Sequence, residues 1–140
     1  MIHSSPIFAT MKSKILLIGW GKTLIFSYII SLIAGAVFAY VEMHGENFGH
    51  SMGIVAWGAL YLHVVLIIMS MLSLFLTVPN FYQNPLMRYI LYFGGCIMFV
   101  IALLFTNLKD IDRTFYLIVS AIYLLVSIFF YNRTIKALAV

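Results

Sequence analysis

The chain has 140 residues, 64% hydrophobic and 9% charged, with a formal net charge of +4 and a mean hydropathy of +1.10. Soluble domains carry about 25% charged and about 45–50% apolar residues, so this composition leaves too little polar surface for a water-soluble fold and implies a membrane-embedded chain. The length allows one small domain, the scattered Lys and Arg form no nucleic-acid-binding patch, and the lone Cys96 excludes an intramolecular disulfide.

Residues 1–14 read as a flexible lead containing Lys12 and Lys14. The following stretch, "ILLIGWGK" (15–22), has two readings. Either it lies along the membrane interface, where an indole and a snorkelling ammonium are both at home, or it is the early start of the first helix. A helix needs about 20 apolar residues to span the hydrocarbon, and four stretches qualify: residues 24–41, 51–78, 87–105 and 115–131. Small residues at Ala34-Gly35-Ala36 have the form of a signal cleavage site, but the apolar sequence runs on to Val41, which suits a retained helix. The second span outruns the bilayer and should tilt or begin among the headgroups. Pro79 and Pro85 bracket "PNFYQNP", a turn that continues neither neighbouring helix.

Alternating spans put Lys12, Lys14, Lys22, Arg88, Arg133 and Lys136 on one side, and leave Lys109 and Arg113 on the other with all the acids, Glu42, Glu46, Asp110 and Asp112. Positive residues favour the cytoplasmic side. The expected fold is therefore an all-α, four-transmembrane-helix bundle with both termini cytoplasmic, a multi-pass protein of the cell membrane, of the bacterial inner-membrane kind.

Lipid tails are as apolar as leucine, so helices associate in a bilayer through close packing of small residues and a few polar contacts. Ser27, Ser31, Gly35 and Ala39 recur every four residues and share one helix face, a candidate association surface for a helix of the same chain or of another subunit. The second span carries Ala56, Ala59, His63, Ser70, Ser73 and Thr77. The third carries Arg88, Tyr92, Gly95, Ala102 and Thr106, and the fourth Tyr116, Ser120, Tyr123 and Ser127. These stripes read first as inner faces of a bundle, with hydroxyls bonded to backbone, and second as the lining of a transport route.

His63 is the one ionisable residue deep in a span. Such residues mark functional sites by default, and His63 with Ser70, Ser73 and Thr77 is a candidate pathway or cofactor site. Haem ligation would need a second axial ligand, from Met69, Met98 or the His63 of a second copy. "EMHGENFGH" (42–50) gathers Glu42, His44, Glu46 and His50, ligand types that suit a divalent metal; Gly45 and Gly49 make it equally a solvated hairpin tip. No phosphate loop and no Ser-His-Asp set can be placed, so no catalytic constellation emerges. The leading expectation is a non-enzymatic membrane subunit or binding partner, acting by self-association or by packing on another membrane protein in the bilayer. A small transporter or oligomeric channel is the alternative, and a haem- or metal-binding redox subunit the third reading.

Overall fold

A computed structural model describes residues 6–42 and 48–139. It contains α1 (Pro6–Glu42), α2 (Phe48–Ser70), a 3-10 segment (Met71–Thr77), α3 (Pro79–Gln83), α4 (Pro85–Phe105) and α5 (Asp110–Leu138), with no strand among the described residues. Four helical stretches are long and apolar enough to cross a membrane: Thr10–Glu42, Gly49–Thr77, Pro85–Phe105 and Asp110–Leu138. The protein is an all-α four-helix membrane bundle in which the early part of α1 packs against the last turns of α5, Gly19 beside Thr134. α1 lies against α5 and α2, and α4 against α2 and α5. α1 and α4 do not meet, whereas α2 and α5 touch across the other diagonal.

α1 differs from the sequence expectation. It is a single helix of 37 residues, about 55 Å long at 1.5 Å per residue, and it begins at Pro6, inside the stretch expected to be a flexible lead. Proline is well suited to a helix's first turn, where its missing N–H costs nothing. The overhang is held by packing, because Leu16 and Trp20 are buried. Lys12 lies over the Tyr82 ring at 5.6 Å, and Arg88 lies over the same ring at 5.3 Å. The Tyr82 hydroxyl donates to the Ile135 carbonyl of α5 at 3.2 Å. The short α3 thus joins the overhang to the end of α5, and the 15–22 stretch is the early part of the first helix.

The proline-bounded turn holds a brief helix where only a turn was expected. Pro79 sits in the first turn of α3 and Pro85 in that of α4. Asn84 caps α4, its Oδ1 accepting from the backbone N–H of Leu86 at 3.0 Å and of Met87 at 3.4 Å. Such a cap satisfies donors that a helix start otherwise leaves orphaned. At the opposite face Asp110 and Asp112 occupy the first turn of α5, where the helix dipole favours negative charge.

The second span changes winding at Met71, next to Gly95 of α4. A Cβ at Gly95 would overlap the Met69 carbonyl, so only glycine allows the two backbones this approach. From there Ser70, Ser73 and Leu76 are all buried. A 3-10 helix repeats every three residues, which keeps these three on one side, whereas an α-helix would rotate them off it. Thr77, expected to face inward, is only half-buried, because that repeat directs Leu76 into the core instead. On α4 the inward residues are Tyr92, Gly95, Cys96 and Leu103, while Ala102 and Thr106 are exposed.

The adjacent glycines of α4 give a sharp test. Gly95→Ala should destabilise the bundle by about 1–3 kcal/mol through overpacking, while Gly94→Ala, whose Cβ would meet only Ile90 at 4.0 Å within the chain, should be neutral or mildly stabilising for the dilute monomer. Thermal unfolding of the two variants in mild detergent would separate them. Equal effects would contradict the close α2–α4 approach.

Candidate functional site

The small-residue ridge of α1 is longer than its first reading. Gly19, Thr23, Ser27, Ser31, Gly35 and Ala39 recur every four residues and all are buried inside the chain. A ridge of i±4 residues is inclined by about 26° to the helix axis, so it sweeps between two neighbours. At Gly19 an added Cβ would press on Thr134 of α5 at 2.8 Å. By Gly35 the ridge lies between Val55 of α2 and Phe115 of α5. Tyr28, beside the ridge, donates its hydroxyl to the Ala56 carbonyl at 3.2 Å and ties α1 to α2. The extra positions continue the four-residue spacing already visible from Ser27 onward, which is the signal that extends the ridge.

His63 is fully buried where α1, α2 and α5 converge. Its ring sits edge-on to Tyr28 at 5.6 Å and to Tyr123 at 5.9 Å. Nδ1 is 2.7 Å from the Ala59 carbonyl one turn back. A carbonyl only accepts, so in the neutral ring Nδ1 carries the proton and Nε2 presents a lone pair. That lone pair finds no donor, and the hydroxyls of Ser31 and Ser120 are likewise buried without a partner. Axial ligation of a haem through Nε2 does not fit this geometry, since it would require α1 to part from α2 and α5. Met98, one suggested second ligand, is exposed on the outward side of α4.

The other hydroxyls of the stripe are satisfied at home. Ser70 donates to Leu66 at 2.7 Å, Ser73 to Ser70 at 2.8 Å and Thr77 to Leu74 at 2.8 Å, each to a carbonyl of its own segment. Thr23 and Ser27 of α1 do the same with Gly19 and Leu24, at 2.9 and 3.2 Å. One side-chain bond crosses the α2–α5 diagonal, Ser70 Oγ to the Tyr123 hydroxyl at 3.0 Å. Hydroxyls with local partners let helices approach without leaving their donors bare in a dry interior.

Of the proposed metal ligands, Glu42 and His50 are exposed at the facing ends of α1 and α2, and His44 and Glu46 lie outside the described residues. Among the described residues no three His, Cys, Asp or Glu side chains gather as a metal site.

Two outward features were missed from the sequence because they need two helices each. The first is an apolar groove of about 730 Å³ between α4 and α5, lined by Tyr89, Phe93, Gly94, Ile97, Leu124 and Ile128, among others. The second is a groove of about 710 Å³ between α1 and α5 that carries Lys22 and Arg133 at its rim.

His63→Leu should leave stability unchanged or raise it, by about 1–3 kcal/mol at most, because it removes a buried acceptor that has no donor. Thermal unfolding in detergent and in lipid nanodiscs would measure this. A loss above about 2 kcal/mol would mean that the ring's contacts with Ala59, Tyr28 and Tyr123 outweigh the cost of its unpaired nitrogen. No protein-family model matches the chain, and no curated protein or solved structure matches it.

Proposed function

We propose that this polytopic membrane protein is a non-enzymatic subunit that works by helix packing against a second membrane-embedded copy of itself. The α4/α5 groove is its contact face. The observation that carries the reading is a glycine in the wall of the α4/α5 groove while the whole α1 ridge is buried within the chain; the α1/α5 groove has cations at its rim and no glycine in its lining. Gly94 forms a notch there: an added Cβ would meet nothing but Ile90 of its own helix. Glycine notches are what permit close helix contact in lipid. The floor beside the notch is stiff, because Tyr89, Phe93 and Tyr131 stack with centroids 5.1–6.4 Å apart.

A two-fold axis beside Gly94 would set groove against groove, the commonest symmetry among oligomers. Self-packing also accounts for the polar interior without a transport route, since the hydroxyls there serve the monomer's own helices. The charge split agrees with both termini facing the cytoplasm.

Single-molecule photobleaching of labelled protein at high dilution in liposomes should show two-step traces. Gly94→Leu should convert them to single steps without loss of folding, while Ile33→Leu, on the lipid face of α1, should leave the dimer intact. A wild-type protein that bleaches in single steps would refute self-association. A dimer indifferent to Gly94→Leu would move it to another face.

A further inference from the structure

We propose that the α1/α5 groove binds one anionic phospholipid of the leaflet on the terminal face, its phosphate held between Lys22 and Arg133 and one acyl chain lying along Phe26, Ile30, Leu125 and Phe129. The site lies on the side of the bundle away from α4 and is independent of the self-packing reading.

Depth is the first argument. Counting about 20 residues of helix per bilayer core back from Val41, at the far end of α1, reaches Lys22. Counting the same length forward from Phe115 in α5 reaches Thr134, one residue past Arg133. The packing agrees with this register, since Gly19 faces Thr134 and the rings of Phe26 and Phe130 are 5.6 Å apart. Both cations therefore sit where the hydrocarbon ends and the phosphate layer begins.

Charge is the second argument. No Asp or Glu occurs anywhere in residues 1–41 or 113–140. The two helices that form the groove therefore supply their cations with no counterion at this level. Lys22 and Arg133 line two adjoining recesses, the 710 Å³ groove on the membrane side and a smaller one of about 240 Å³ on the terminal side. Both side chains are exposed. Arg133 is oriented by the Phe129 ring, with its guanidinium carbon 5.2 Å from the ring centroid, an arrangement that leaves its N–H edge free to donate to an oxygen anion. Each basic residue near the surface adds attraction for anionic lipid, and basic pockets between helices take phosphate headgroups.

The shape of the groove is the third argument. Below the two cations its walls are aliphatic and aromatic down to Ile30 on α1 and Leu125 on α5, so the cationic rim and the apolar trough follow the order of a phospholipid from headgroup to chain. A free anion would use the rim and leave the trough unused. An anionic phospholipid uses both.

The test uses the full chain in detergent with native mass spectrometry. The probes are phosphatidylglycerol, phosphatidylcholine with the same acyl chains, and inorganic phosphate. The wild type should retain phosphatidylglycerol over phosphatidylcholine by roughly tenfold or more. The double variant Lys22→Gln/Arg133→Gln should bring the two lipids to parity, and Lys109→Gln, on the opposite face, should change nothing. Leu125→Trp, which fills the trough and spares the cations, should lower phosphatidylglycerol retention. Parity in the wild type would overturn the proposal. So would a preference that survives the double variant, or retention of inorganic phosphate as tight as that of the lipid.

Discussion

Helices in a bilayer gain nothing by hiding apolar side chains from tails that are equally apolar, so α1 holds its place only by bringing its backbone close to α2 and α5. The ridge from Gly19 to Ala39 makes that approach possible. Its four-residue spacing gives it a tilt relative to the helix axis, which is why one face of α1 can serve two neighbours. The rest of the bundle follows from this seating. With α1 fixed against α5 at Thr134 and against α2 at Val55, those two helices are drawn together across the diagonal, and α4 is left on the far side with its own close approach at Gly95.

Small residues in such a ridge cannot all be glycine without weakening the helix, and serine or threonine brings a hydroxyl into a dry interior. The structure answers mostly by local bonding, each hydroxyl donating to a carbonyl three or four residues back. In the 3-10 segment the donors of Ser73 and Thr77 reach three residues back, the repeat of that winding. The change of winding and the Gly95–Met69 approach occur at the same level, so the tighter coil and the close backbone contact form one feature. Among the buried atoms left unpaired in the described residues, those of Ser31, His63 and Ser120 lie on α1, α2 and α5, one on each of three mutually packed helices.

The four spans and their alternation were legible in the sequence because hydropathy and charge are one-dimensional signals: twenty apolar residues have a fixed length, and Pro79 and Pro85 punctuate the chain wherever it goes. The ridge was legible for the same reason, although its occupants were not, since a four-residue repeat says that something comes close and not which helix. Leu76 taking the inward place assigned to Thr77 could not be read, because it depends on a winding imposed by Gly95 from another helix. The overhang of α1 was hidden for a related reason. Residues 6–14 look like an untethered lead until Tyr82 is known to lie beneath Lys12. Grooves are less legible still, because each wall belongs to a segment that is about 100 residues away from the other in the chain or separated from it by a loop.

The same tether bears on what the terminal face can recognise. A cation on a free tail is attracted to any anionic surface, but it selects nothing, because its position averages over the interface. Here the carrier helices are locked: α1 by Leu16 and Trp20 in the core, α5 by its bond from Tyr82 and by Tyr131 within the aromatic cluster. Lys22 and Arg133 therefore keep a fixed depth and separation to within the reach of their own side chains, and Phe129 restricts Arg133 further. Pre-organisation of this kind lowers the ordering cost of binding, so discrimination between headgroups of different charge becomes a property of the pair and its groove together. The opposing face has the contrary character: it holds all four acids, Glu42, Glu46, Asp110 and Asp112, against two cations, Lys109 and Arg113, with Asp110 and Arg113 paired at 3.8 Å. A chain with six cations and no acidic side chain at one membrane surface, and four acids against two cations at the other, presents its recognition capacity for anions on the cationic side.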